Sequence, residues 1–534
     1  MSNLTNLKSG QTTLGIELGS TRIKAVLINS DNFEVLASGN YEWENKLVND
    51  IWTYSLDDVW TGLQASYANL KAVIKSKYGV VLTRIDHIGI SAMMHGYLVF
   101  DDAGQPLVAF RTWRNAITGP AATELSKLFN FNVPQRWSVA HLYQAILNQE
   151  NHVSKIDYLT TLAGYVHWKL TDQKVIGIGD ASGIFPIDSR SKNYDSRKLE
   201  LFSELQQVKQ QPWRVPDIFP KVLTAGETAG SLTNSGAQLL DPSGDLQVGS
   251  IFCPPEGDAG TGMVATNSVL PRSGNVSAGT SIFSMVVLEH PLIKVYPEID
   301  VVSTPAGDDV AMVHANNATS DINAWMELFE GLLTLAGKKL DKETMFKSLF
   351  FSALTDADAD AGGLLTYGYY SGENITGLKE GRPLLVRSPQ SKLTISNLMR
   401  SQILSVFAAL KIGMDILKKE KVKIDRLTGH GGLFKTPRVA QQILADVLET
   451  PIAVTENAAE GGAWGIAILA SYVDSAAKVS LTEYLKNDVF SGSSTLTIEP
   501  NYRDLDGTQK FMDRYKKGLD IEQTAVARME LNDA

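Results

Sequence analysis

The chain has 534 residues, 44% hydrophobic and 20% charged, with a formal net charge of −10. This is the composition of a folded globular protein of two or three domains, not of a low-complexity or disordered chain. The acidic balance argues against a general nucleic-acid binder, and a lone cysteine, Cys253, excludes an intrachain disulfide and favours a reducing compartment.

The first 13 residues lack the apolar core of a signal peptide, and the apolar stretch 463–473 falls short of the roughly 20 residues a spanning helix needs. The chain therefore reads as cytoplasmic, with no membrane and no nucleic-acid partner. Residues 14–28 form two apolar strands around the tight turn Gly19-Ser20-Thr21. Residues 33–43 continue as strand. Ser55 with Asp57 and Asp58 supplies a helix start for 59–78. Strands follow at 85–93, which runs into Met93-Met94-His95-Gly96, and at 98–102. Residues 139–149, 156–170 and 195–208 read as helices, with a Gly/Asp/Ser loop at 177–186.

Residues 222–249 are rich in Gly, Ser, Thr and Pro, and the domain boundary is expected near 257–262, dividing the chain into 1–258 and 259–534. A second hairpin, 274–288, turns at Gly279-Thr280-Ser281. Helices are expected at 321–336, 398–419 and 439–448. A strand at 424–428 runs into Gly429-His430-Gly431-Gly432. A helix at 459–473 opens with Gly461, Gly462, Ala463 and Gly465, small residues that let another backbone approach closely. The tail, 506–534, reads as a surface helix. Strands alternating with helices imply an α/β architecture, and the echoed hairpin implies duplication of one unit.

Gly-plus-hydroxyl turns can turn backbone N–H groups and side-chain hydroxyls toward one anion. In the first turn, Gly19, Ser20 and Thr21 would face phosphate, Lys24 would add charge, and Glu17 would hold a divalent cation directly or through water. A single β-turn selects the same residues; the second copy, Gly279-Thr280-Ser281, points to paired phosphate cradles closing on one nucleotide. Gly431 and Gly432 offer either a bare backbone for a base or phosphate, or simply a tight strand–helix turn. Asp258, among small residues, could take a proton from a substrate hydroxyl or could cap a helix. His95 and Met94, at a strand's carboxyl end, could meet a sugar or serve as core. Trp113, Arg114 and Asn115 offer a polyol platform or a surface cation–π pair. His141 and His167 read as structural. There is no Walker A pattern, zincin motif, nucleophile elbow or paired-cysteine metal site.

Taken in order, these segments resemble the FGGY family of carbohydrate kinases. The likeness rests on Glu17-Leu18-Gly19-Ser20-Thr21 with Lys24, Met94-His95-Gly96, Gly179-Asp180-Ala181-Ser182-Gly183, Gly257-Asp258, Ser277 to Ser281, Gly431-Gly432, and Gly461 to Gly465. The resemblance implies the duplicated actin/Hsp70-like (ribonuclease H-like) ATPase fold, two domains with a central cleft. It implies ATP with magnesium as cofactors and a small sugar as substrate, and leaves a homodimer open. It implies Asp258 as catalytic base, with Met94, His95, Trp113, Arg114, Asn115 and Asp258 about the sugar. Gly19, Ser20, Thr21, Lys24, Gly279, Thr280, Ser281, Gly431 and Gly432 would hold the nucleotide. The expected reaction is phosphorylation of a ketopentose at its terminal hydroxyl, with L-ribulose first and D-xylulose second. A nucleotide-dependent binding protein on the same fold is the non-enzyme reading. Three departures stand out: Glu17 where the family has Asp, Asn115 in a sugar-site Asp position, and Gly372-Glu373-Asn374 in place of Gly-Glu-Arg.

Overall fold

A computed structural model of the chain describes residues 3–455, 461–492 and 495–529. In chain order its main elements begin with β1 (Thr12–Leu18), β2 (Arg22–Asn29), β3 (Val35–Glu42), α1 (Leu56–Tyr78), β4 (His87–Ala92), α2 (Ser138–Leu147), α3 (Leu162–Thr171) and the short α4 (Ile178–Ala181). There follow β5 (Ile251–Phe252), β6 (Glu256–Gly257), α5 (Asp258–Ala265), β7 (Ser273–Ala278), β8 (Ile282–Val287), β9 (Asp309–Ala315), α6 (Ser320–Leu335) and α7 (Ile395–Lys419). The chain closes with β10 (Arg426–His430), α8 (Val439–Leu448), β11 (Ile452–Thr455), α9 (Gly461–Tyr472), β12 (Thr495–Ile498) and α10 (Leu505–Arg528). None of the described helices is long and apolar enough to cross a membrane.

The chain divides into two compact units. Unit 1 comprises Met1–Val269, Asp300–Val310 and Asn457–Ser493; unit 2 comprises Leu270–Ile299, Ala311–Glu456 and Ser494–Ala534. The division does not follow one cut after residue 258. Helix α5 stays with unit 1, and α9 returns to it from far along the chain, packing on β1 and α5. The small residues of α9 are what allow this: a Cβ on Gly465 would lie 2.1 Å from the Thr261 carbonyl oxygen. The first two residues of the expected helix, 459 and 460, lie outside the described residues, as do 530–534 of the expected tail helix.

Both units are built on one pattern. In unit 1 the strand order is β5-β4-β1-β2-β3, with β6 also beside β4. Strand β1 is antiparallel to β2 and parallel to β4, and β4 is parallel to β5 and β6. In unit 2 the path runs β9-β8-β7-β10-β11-β12. Strand β7 is antiparallel to β8 and parallel to β10, which is parallel to β11. Each unit thus carries a hairpin whose first strand has a parallel neighbour on its other side. Parallel neighbours need helical crossovers, and the strands they create are covered on both faces. Strand β4 is accordingly buried at every position.

Local chemistry sets the ends of these elements. The Ser55 hydroxyl accepts the Asp58 N–H at 3.0 Å and starts α1, which stops at Gly79 in the left-handed region. The expected helix at 156–170 divides instead: Tyr158–Thr160 pairs antiparallel with Leu98–Phe100, and only then does Thr161 cap α3 through the Gly164 N–H. Two adjacent β-branched threonines favour a strand followed by a cap over a continuous helix. The tail helix α10 is amphipathic rather than merely superficial, burying Phe511, Met512 and Tyr515 in the core of unit 2 around α7. Phe407, on α7, is fully buried in that core. Its replacement by alanine should cost about 3–5 kcal/mol. Urea unfolding followed by far-ultraviolet dichroism checks this: the transition assigned to unit 2 should move to lower denaturant.

Candidate functional site

In unit 1, strand register gathers the chemistry. Glu17 pairs with Ser91 and Leu18 with Ala92 across β1 and β4; Glu256 and Gly257 pair with the same two residues from β6. The three parallel strands therefore end at one level. The residues that follow them, Gly19, Met93-Met94-His95 and Asp258, emerge side by side. Carboxyl ends of parallel strands are where open α/β sheets bind ligands.

Asp258 is the first residue of α5, but Gly257 occupies the cap position and no side chain caps that helix. The Asp258 carboxylate instead accepts the Met94 N–H at 3.3 Å. Burial pushes its carboxyl up to about 6, and the Met94 and Ala259 N–H groups pull the other way. Glu17 is pushed up to about 7, first by burial and then by the charge of Asp258; the Ala463 N–H and Lys24 oppose this. Lys24 stands directly opposite Glu17 in the β1–β2 pairing. The Ala463 N–H reaches Glu17 Oε2 at 3.2 Å, and a Cβ on Gly462 would lie 2.4 Å from Oε1, so any larger residue where α9 meets this carboxylate would displace it.

Among the described residues no three His, Cys, Asp or Glu side chains form a cation cage. Magnesium needs only one or two carboxylates when water and phosphate complete its shell. Glu17 fits that requirement: its partly buried carboxylate lies close enough to Asp258 for the two charges to raise its pKa, a repulsion that a cation would relieve.

The first turn is held by its carbonyls. Trp43 Nε1 donates to Gly19 O at 2.7 Å, the Tyr54 hydroxyl to Ser20 O at 2.6 Å, and the Trp43 N–H to Thr21 O at 3.2 Å. The Trp43 and Tyr54 rings stack at 4.2 Å. Ser20 and Thr21 are exposed, with their hydroxyls outside this anchorage. In unit 2 the second turn is built the same way. Gly279 O accepts from Thr319 N and Oγ1, and Thr280 O accepts the Ala318 N–H, leaving Gly279 and Thr280 exposed and Ser281 half-buried. Within both turns the glycine N–H donates to a carbonyl just past the bend, Gly19 to Arg22 and Gly279 to Ser281. Gly431 lies against the second turn's strand; its φ is +100°, and a Cβ there would lie 2.4 Å from Ala278 O. Gly432 faces open space. Unit 2 thus brings Gly279, Thr280, Ser281, Gly431 and Gly432 together.

Met94 and His95 are nearly buried. The His95 ring stacks on Trp137 with centroids 6.3 Å apart, and Nδ1 has no hydrogen-bond partner. Burial, then the Arg136 charge, holds this imidazole well below its ordinary range, so it is neutral. Arg111 pairs with Tyr97 through two backbone hydrogen bonds, bringing the Trp113 segment beside the His95-Gly96 turn. Trp113 is 38% exposed, and Arg114 stacks on Trp52 at 3.8 Å. Asn115 is different. Its Oδ1 accepts the Trp52 N–H and its Nδ2 donates to Trp52 O and Thr112 O, so its amide is spent on shaping the loop. Glu373 is likewise buried and takes the Asn316 N–H at 2.8 Å. His141 and His167 are buried on their helices as expected.

Two residues without an expected role sit at the centre. Glu256 and Asp180 are buried carboxyls beside Asp258, pushed up by burial to about 8 and about 7 respectively. An acidic residue between Pro255 and Gly257-Asp258 was the available signal for Glu256. Nothing local marked Asp180 as its neighbour, because that contact spans 76 residues.

Residues 12–243 match the N-terminal domain of the FGGY family of carbohydrate kinases, and residues 274–473 match its C-terminal domain. A xylulose kinase from Haemophilus influenzae is 20% identical over 513 residues, covering 94% of this chain and 98% of that one. The crystal structure of a xylulose kinase from Rhodospirillum rubrum superposes with a TM-score of 0.77 at 19% identity, over 97% of this chain and 100% of the other. A gluconate kinase from Lactobacillus acidophilus gives the same TM-score at 15% identity, over 97% and 98%. The fold is therefore the duplicated actin/Hsp70-like ATPase fold, as the resemblance implies. Carboxylate titration of carbon-13 aspartate-labelled protein should show two aspartates with midpoints near 6, Asp258 and Asp446, of which the Asp258→Asn variant loses one; an ordinary midpoint near 4 for the lost signal would contradict the desolvation of Asp258.

Proposed function

Since this chain belongs to the FGGY family of carbohydrate kinases, we propose that it transfers the γ-phosphoryl group of ATP to the terminal hydroxyl of D-xylulose. L-Ribulose, the sugar the sequence texture favours, gives way here because the Haemophilus influenzae relative, matched along nearly its whole length, is a xylulose kinase. The observation that carries the activity is the placement of Asp258. It is a half-buried carboxylate just past the end of β6, level with the first phosphate-type turn and bonded to the backbone of Met94.

In this reading Met94, His95 and Trp113 hold the sugar, with Arg114 and Asn115 shaping the loop that presents Trp113. Neutral His95 can accept or donate one hydrogen bond to a sugar hydroxyl. Asp258 takes the proton of the terminal hydroxyl, and the freed oxygen forms a bond to the γ-phosphorus as the bond to the β-phosphate oxygen breaks, releasing ADP. Gly19, Ser20, Thr21 and Lys24 in unit 1, and Gly279, Thr280 and Ser281 in unit 2, take phosphate oxygens; Gly431 and Gly432 lie under the nucleoside. Glu17 would hold magnesium, directly or by way of water, and the bound ion would neutralise charge on the phosphates. Most of the rate then comes from positioning and fixed electrostatics rather than from covalent chemistry.

Coupled ADP production across D-xylulose, L-ribulose, D-ribulose, L-xylulose, glycerol and gluconate tests the substrate. D-Xylulose should give the highest kcat/KM, and a higher value for any other sugar would overturn that choice. ADP release indifferent to every sugar would instead favour a nucleotide-dependent binding protein. Asp258→Asn should lower kcat by about 10²–10⁴-fold while ATP binding, read by calorimetry, stays unchanged. A base must be ionised to accept a proton, so burial that lifts Asp258 to about 6 makes turnover fall as pH drops through that value. A kcat profile flat down to pH of about 4.5 would remove Asp258 from the role.

A further inference from the structure

We propose that Glu256 is a positioning residue for Asp258, a buried clamp that fixes the two-residue strand from which the base emerges; this rests on the activity proposed above. Strand β6 is only Glu256–Gly257, so its pairing with β4 holds it by a short edge. Glu256 secures the opposite side. Its Oε1 accepts the Gly179 N–H at 3.2 Å and its Oε2 accepts the Asp180 N–H at 2.9 Å. The Gly177 N–H donates to Pro255 O at 2.8 Å, so segment 177–180 is stitched to segment 255–256 along its length.

The fit is tight on the glycine side. A Cβ on Gly177 would stand 2.3 Å from Oε1, and one on Gly179 would stand 2.4 Å from Oε2. Glu256 itself is 1% exposed. The far end of the clamp is anchored as well: Asp180 Oδ2 accepts the Thr161 hydroxyl at 2.6 Å, and Thr161 caps α3. A continuous line of hydrogen bonds thus joins the body of unit 1 to the residue two places before the base. Whether or not it carries a proton, a carboxyl group keeps a lone pair on each oxygen for these donors. An amide does not. Glutamine at 256 would turn an NH₂ group toward one of the two N–H groups, leaving a buried donor without an acceptor and pushing the segments apart.

The expected consequence is a displaced base rather than a lost binding site. A misplacement of about 1 Å at a reacting centre costs on the order of 10²-fold in rate. Glu256→Gln, Gly179→Ala and the double variant test this by steady-state kinetics, with thermal unfolding to confirm the fold. Glu256→Gln should lower kcat by about 10- to 100-fold with KM for sugar and for ATP within about threefold of wild type. Gly179→Ala, which displaces the carboxylate from the other side, should give a similar loss, and the double variant should be no worse than the poorer single one. Wild-type kcat in the isosteric glutamine variant, a rise in sugar KM alone, or losses that multiply in the double variant would each overturn the proposal. Wild-type protein assayed alongside separates the two layers. No sugar-dependent ADP from wild type overturns the activity and this inference with it. Active wild type with an unimpaired glutamine variant overturns this inference alone.

Discussion

The in-register parallel pairing of β1, β4 and β6 is the constraint on which the candidate site depends. Ser91 and Ala92 of the central strand are flanked by Glu17 and Leu18 on one side and by Glu256 and Gly257 on the other. A slip of one residue in either pairing would turn that strand's side chains to the opposite face of the sheet and move its carboxyl end by about 3.3 Å relative to its neighbours. Apolar burial fixes the register: Leu14, Ile16 and Leu18 of β1 and Ile88 and Ile90 of β4 are all fully buried. Hydrophobic packing thus sets, at a distance, where the three segments of the candidate site end.

The same packing determines the electrostatics. Closing unit 1 around these strand ends buries Asp180 and Glu256 and half-buries Glu17 and Asp258, and the lost hydration raises all four carboxyls. A surface carboxylate is a poor base at neutral pH because its conjugate acid is too strong. Burial brings Asp258 nearer to working pH, and backbone N–H groups keep it from rising further. The two hairpin turns follow a complementary logic. Trp43, Tyr54, Ala318 and Thr319 occupy the turn carbonyls, so hydroxyls rather than carbonyl oxygens remain to meet an anion.

Features carried by contiguous residues were legible in the sequence. Both hairpins show as apolar runs around Gly-Ser-Thr and Gly-Thr-Ser, and α7 and α8 show as sustained helical periodicity. Asp258 was marked by its small neighbours. Features made by distant residues were not legible. The return of α9 to unit 1 depends on Gly462 and Gly465 meeting Glu17 and Thr261, partners far away in the chain. Asn115 looks like a sugar ligand in isolation, yet Trp52, 63 residues earlier, takes its amide. The 156–170 segment has helical composition overall, but pairing of Tyr158–Thr160 with Leu98–Phe100 overrides that propensity. Sugar identity lies further from view, because hydroxyl stereochemistry is read by a few side-chain atoms whose placement no spacing encodes.

A crystal structure with D-xylulose and a non-hydrolysable ATP analogue bound together tests the central claim most directly. The sugar's terminal hydroxyl oxygen should lie within about 3 Å of an Asp258 carboxylate oxygen, in line with the γ-phosphate. A sugar seated away from Asp258, or a terminal hydroxyl facing another base, would contradict it.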